Sequence, residues 1–113
     1  MDCLFCKIAA GKIPSDKVYE DDELLAFRDI DPKAPTHILV IPKTHITSIN
    51  QLDVESSLIV SKAFLLLKKI AKDEGISESG YRIVTNVLKD GGQTVDHLHF
   101  HLLGGRSLSW PPG

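Results

Sequence analysis

Residues 96 to 103 read Asp96-His97-Leu98-His99-Phe100-His101-Leu102-Leu103, an alternation of imidazoles and apolar side chains closed by two leucines. In an extended chain, residues two apart share a face. His97, His99 and His101 therefore project together, about 7 Å apart, and Leu98, Phe100 and Leu102 anchor the opposite face in a core. This pattern predicts a strand over Val95–Leu103. Three readings of the imidazole row compete: a His-rich surface strand, a metal site and a catalytic face. Strict alternation of three histidines weighs against coincidence. On a straight strand the outer two stand about 13 Å apart, whereas a zinc–nitrogen bond is about 2.1 Å, so one ion does not readily take all three. Imidazole titrates near neutrality and serves as nucleophile, acid or base. A phosphoryl centre suits such a row, because its anionic oxygens seek donors.

Working outward, Asp90-Gly91-Gly92-Gln93-Thr94 leads directly into this strand. Its glycines suit a hairpin turn between strands Tyr81–Val87 and Val95–Leu103. They also let backbone N–H groups form an anion-binding concavity, to which Gln93 and Thr94 add donors. Upstream, Asp53 is an N-cap for a helix over Val54–Asp73, and Gly75 is its stop. Leu58, Ile59, Ala63, Leu66, Leu67 and Ile70 recur at spacings of three and four, which gives an apolar stripe for packing on a sheet. Thr36–Ile41 is a β-branched buried strand ended by Pro42. Val18–Glu20 and Leu24–Ile30 read as strands flanking an acidic turn, and Cys3–Ala10 as a short helix ending at Gly11. These elements define an α+β domain: a mainly antiparallel sheet carrying one long helix.

The 113 residues fit a single domain over 1–113. A net charge of −2 with interspersed signs gives no basic stripe for duplex nucleic acid or an anionic membrane. The most apolar later run, Ala63–Leu67, is too short to span a bilayer. Cys3–Ala10 is broken by Lys7 and preceded by Asp2, which does not fit an export signal. A cytoplasmic protein is expected. There, Cys3 and Cys6 are thiols or metal ligands and not a structural disulfide. The C-x-x-C lacks the preceding strand of a thioredoxin-like motif. A tetrahedral zinc on these thiolates needs two more ligands, from His37, His45 or the His97–His101 row. Residue types alone leave that choice open.

Taken together, these pieces resemble the histidine triad (HIT) family, in its Hint branch of nucleotide-binding hydrolases. The family signature, His-φ-His-φ-His-φ-φ with φ apolar, is met at every position by HLHFHLL over 97–103. Phe5 with Lys7-Ile8, Ile13-Pro14, AFRDI over 26–30, APTHILVIPKTHI over 34–46, GGQT over 91–94 and LGGRSLSWPPG over 103–113 extend the resemblance along the chain. The resemblance implies a five-stranded antiparallel sheet with one long helix and a short N-terminal helix, pairing sheets in a symmetric homodimer. It implies a purine nucleotide-binding hydrolase that cleaves adenosine 5′-phosphoramidate-type substrates at the P–N bond to give AMP. His99 would be the nucleophile that forms a nucleotidyl-histidine. His101 would contact the phosphate and assist the leaving group, and His37 would support the protonation state of the nucleophile.

For nucleotide binding, the resemblance assigns Asn86, Gly92, Gln93 and Thr94 to the phosphate and Asp29 to the ribose hydroxyls. Phe5, Ile8, Ile13, Phe27, Ile30 and Leu39 would form the purine slot. Trp110 would approach the partner's active site. Zinc-containing bacterial relatives imply one structural zinc per chain on Cys3, Cys6, His45 and His97, which makes His97 a ligand and not a catalytic group. Thr94 departs from the serine familiar in this branch; it keeps the hydroxyl and adds a methyl. Two other classes stand beside this reading: a non-catalytic nucleotide-binding module on the same fold, and a zinc hydrolase with metal-activated water.

Overall fold

The computed structural model describes residues 3–113; Asp2, used above against an export signal, lies outside them. Five strands form one antiparallel sheet: β1 (Lys17–Glu20), β2 (Leu24–Arg28), β3 (Thr36–Pro42), β4 (Tyr81–Val84) and β5 (Phe100–Gly104). Their order is β1-β2-β3-β5-β4. The chain turns between β1 and β2 on Asp21, whose Oδ1 accepts from the backbone N–H groups of Glu23 at 2.7 Å and Leu24 at 2.8 Å. This is an Asx-type turn. β3, the most β-branched and apolar segment, is buried along its whole length and lies at the centre.

Alternate residues of β2 and β3 serve two different cores. Leu24, Ala26, Ile38 and Val40 face helix α2 (Leu58–Asp73), which buries Ala63, Leu66, Leu67, Ile70 and Ala71 against them together with Leu98, Phe100 and Leu102. Leu25, Phe27, Leu39 and Ile41 face the other way, onto Phe5 and Ile8 of helix α1 (Leu4–Ala9). Burying each large apolar side chain contributes about 1.5–3 kcal/mol. The long helix thus supplies most of the first core, and the short one closes the second. Among the described residues no helix is long and apolar enough to cross a membrane.

Several boundaries differ from the sequence reading, and β2 already ends at Arg28 and not at Ile30. Asp53 does not cap the helix itself. Its Oδ1 accepts from the Ser56 N–H at 2.7 Å and its carbonyl from the Ser57 N–H at 2.9 Å, closing a turn that leads into α2 at Leu58. The connection between β4 and β5 is not a hairpin. β4 stops at Val84, Leu88–Gly91 forms a short helix α3, and Gly92 ends it in the left-handed region at φ 82°. The ladder of β5 begins only at Phe100. Upstream of it, the His97 N–H bonds the Val95 carbonyl at 2.8 Å and the Leu98 N–H bonds the Ile46 carbonyl at 2.6 Å, so the backbone there is spent on local contacts.

The Gln93 side chain holds this excursion. Its Oε1 accepts from the Leu88 N–H at 2.9 Å, and its Nε2 donates to the Thr47 carbonyl at 2.8 Å and the Val95 carbonyl at 3.0 Å. The alternation of faces nevertheless survives through 98–102, with the apolar residues in the α2 core and the imidazoles opposite.

Candidate active site

The first residues of β5 and the end of the excursion bring His99 and His101 together, with ring centroids 5.0 Å apart. Neighbouring β3 adds His37, whose Nε2 lies 2.8 Å from His101 Nδ1. The loop after β2 adds Asp29, whose Oδ2 is 3.5 Å from the same Nε2. Hydrogen-bond partners assign the tautomers. The Lys33 backbone N–H donates to His37 Nδ1 at 3.0 Å, so the His37 proton sits on Nε2. That proton is donated to His101 Nδ1, which places the His101 proton on Nε2. His99 Nδ1 lies 2.6 Å from the His97 carbonyl and donates to it. Its Nε2 therefore carries a free lone pair. The site thus holds a nucleophilic nitrogen beside an N–H donor.

Burial favours the neutral form of each ring. It pushes the pKa of His99 and His37 down, in His37 against the opposing pull of Asp29. His101 is lowered to about 4, by burial first and then by the neighbouring His99 and His37. His99 is 4% exposed, and the Phe5 ring meets it edge-on at 5.0 Å.

A cavity of about 280 Å³ opens over these rings. Of the expected nucleotide residues, Phe5, Ile8, Phe27, Asp29, Ile30, Leu39, Thr94, His99 and His101 line it. Ile30 does so from the rim, where it is 98% exposed. Ile13 packs behind the wall against the α1 core. Asn86, Gly92 and Gln93 are not among the lining residues, and Gln93 spends its amide on the loop as described. Trp110 is 79% exposed and stands away from this cavity, under the Arg82 guanidinium at 5.8 Å and next to edge strand β4. Leu4, Pro14, Ser15, Arg28 and Val95 also line the cavity and were not read from sequence. Leu4, Pro14, Arg28 and Val95 sit directly beside assigned residues, and that adjacency was the available signal.

A second group of donors lies behind Phe5. The ligand atoms of Cys3, Cys6, His45 and His97 all lie within 4.8 Å of one another. Cys3 Sγ is 3.3 Å from His97 Nδ1, Cys6 Sγ is 3.2 Å from His45 Nδ1, and Cys6 Sγ is 3.5 Å from His97 Nδ1. A tetrahedral zinc with ordinary bonds separates sulfur and nitrogen ligands by about 3.6 Å, so two thiols and two imidazoles at these spacings fit such an ion. His97 is fully buried, and its Nε2–H donates to the Pro42 carbonyl at 2.7 Å, which turns the Nδ1 lone pair toward the thiols. These four residues form a potential metal-binding cluster compatible with zinc. Asp29, His37 and His101 also gather three donors. There, however, the Lys33 N–H already occupies His37 Nδ1. A metal on Nε2 would strip the ring of its only proton, so these three donors do not suit a metal in this tautomer.

Fold and site together define a class: a small α+β protein in which imidazoles of ordered tautomer cluster on one face of an antiparallel sheet. The profile of the HIT domain matches residues 10–108, and the chain belongs to the HIT domain family. It is 54% identical over 112 residues to an uncharacterized HIT-like protein of Synechococcus elongatus, covering 99% of this chain and 97% of that one. It is 49% identical over 107 residues to the purine nucleoside phosphoramidase of Escherichia coli, covering 95% and 90% respectively. The crystal structure of a HIT family hydrolase from Legionella pneumophila superposes with a TM-score of 0.97 at 55% identity, over 99% of this chain and 100% of that one.

Proposed function

We propose that this protein, a single HIT domain over 1–113, is a hydrolase of purine nucleoside phosphoramidates that releases the nucleoside monophosphate. The observation that carries the reading is the free His99 Nε2 lone pair beside the His101 Nε2–H in one cavity. The purine occupies the slot formed by Phe5, Ile8, Phe27 and Leu39, and Asp29 accepts from the ribose hydroxyls. His99 Nε2 attacks the α-phosphorus while its Nδ1–H stays on the His97 carbonyl, which stabilises the positive charge the ring acquires. The P–N bond breaks as its nitrogen takes the His101 Nε2 proton and departs as an amine, with the other His101 nitrogen held by His37. Water then cleaves the nucleotidyl-histidine, giving its proton back to His101 Nε2 and leaving the nucleoside monophosphate and neutral His99. The neutral rings suit this role, because a protonated His99 has no lone pair to offer.

Cys3, Cys6, His45 and His97 hold one structural zinc in this reading. Four protein ligands close the sphere, and its contribution is a crosslink from α1 to the loop after β3 and the segment that leads into β5. A second copy pairs at the free edge of β4, beside which Trp110 is exposed. The test is AMP release from adenosine 5′-phosphoramidate by wild type and His99→Ala, with AMP binding and sedimentation measured on both. The expected result is a dimer that turns over, and a variant that binds AMP while losing at least about 10³-fold in kcat. Binding without turnover in wild type would make the protein a nucleotide-binding module. A sedimenting monomer would remove the pairing.

A further inference from the structure

The metal cluster and the nucleotide cavity share their construction. Helix α1 carries Cys6 on one side and Phe5 and Ile8 on the other, with Cys3 as its N-cap accepting from the Cys6 N–H at 3.3 Å. Thus one short helix holds two thiols of the cluster and two walls of the cavity. The Phe5 ring touches both systems, 6.0 Å from His97 and 5.0 Å from His99. His97 is the second bridge. Its imidazole faces the thiols, and its backbone carbonyl accepts the His99 Nδ1–H. Rotation of residue 97 therefore moves the group that fixes the tautomer of His99. A six-residue helix is too short to hold its own shape in water, so its position depends on what it is tied to.

We propose that the Cys3–Cys6–His45–His97 cluster, when it holds its metal, is a positioning element for the nucleotide site. It sets α1 as the cavity wall and, through the His97 carbonyl, the orientation and tautomer of His99, so that metal occupancy tunes nucleotide affinity. This rests on the nucleotide reading of the cavity, but its second arm does not need a nucleotide. By linkage, a metal that tightens nucleotide binding is itself tightened by nucleotide to the same factor.

His45 is the ligand to change, because it belongs neither to α1 nor to the residues around the reacting centre. The proteins are the zinc-loaded wild type, His45→Ala and His45→Cys, which restores a fourth ligand. Three quantities are measured: bound zinc, the AMP dissociation constant, and the tautomer of His99 by nitrogen NMR of the histidine side chains. Zinc-loaded wild type is expected to show a single Nδ1–H tautomer. A folded, metal-free His45→Ala is expected to show mixed tautomers and an AMP Kd raised about tenfold, corresponding to about 1.4 kcal/mol. Zinc-loaded His45→Cys is expected to recover both.

A folded, metal-free His45→Ala with wild-type Kd and a single tautomer overturns the proposal. So does a zinc-loaded His45→Cys that fails to recover either. If His45→Ala does not fold, wild type loaded with cadmium in place of zinc supplies the comparison. The larger ion is expected to shift the His99 resonances and the AMP Kd, and identity with the zinc form overturns the proposal. If wild type binds no AMP at all, the nucleotide reading falls, while the tautomer measurement still decides whether the cluster positions His99.

Discussion

Two of the groups that direct the proposed chemistry at the level of single residues are backbone atoms. The Lys33 N–H and the His97 carbonyl decide which nitrogen of His37 and His99 carries a proton, and His101 follows from His37. His99 and His101 stood out from their alternation, whereas His37, Asp29 and the apolar slot were named only through the family resemblance. The two backbone groups were not, because every residue except proline carries both and only the fold decides where they point. The lowered pKa of His101 has a consequence in acid. Its unfolded value is near 6.5 and its folded value about 4, so between these the unfolded chain binds the extra proton. Stability is therefore fully present above about pH 6.5 and is lost as the pH falls toward 4. For this half-buried ring the loss at pH 5 is on the order of 1 kcal/mol. Urea unfolding at pH 7 and pH 5 is expected to show it, and His101→Gln is expected to lose less between the two.

Among the elements, the segment between β4 and β5 shows where sequence patterning fails. The Gly91-Gly92 pair marks a turn correctly, but Leu88–Gly91 becomes a helical turn and the β5 ladder starts at Phe100. A strand pattern reports which way side chains face, and that held for Leu98 through Leu102. It does not report whether a neighbouring strand is in reach to pair, and here Gln93 and Ile46 capture the backbone first. Gln93→Ala removes three hydrogen bonds from one loop. Leaving such partners unsatisfied costs about 1–3 kcal/mol. The expected outcome is a lowered denaturation midpoint together with faster amide exchange over residues 88–95; unchanged exchange there would remove Gln93 as the loop's clasp. The C-x-x-C was visible from the start, but residue types left its partners open and only the family resemblance named them, because His45 and His97 meet the thiols only after β3 and the excursion fold back onto α1.

For the whole molecule, one sheet separates two interiors. Leu67 is fully buried in the α2 core, away from the cavity. Leu67→Ala is expected to cost about 2–5 kcal/mol of stability. AMP affinity, measured well below the melting temperature, is expected to stay within twofold of wild type. A large loss of affinity in the folded variant would show that the two interiors communicate. The division follows from the pleat, and in this chain it has an arithmetic form. On β2, β3 and β5 the even-numbered residues Leu24, Ala26, Ile38, Val40, Phe100 and Leu102 belong to the helix-packed side. The odd-numbered Phe27, Leu39 and His101 belong to the cavity. Parity thus sorts the interior of these strands into a chassis side and a tool side, with Arg28 at the end of β2 as the even-numbered residue that reaches the cavity. A library that varies only Phe27 and Leu39 would search for new ligands while leaving untouched the even-numbered scaffold and the buried Leu25 and Ile41 that close the second core.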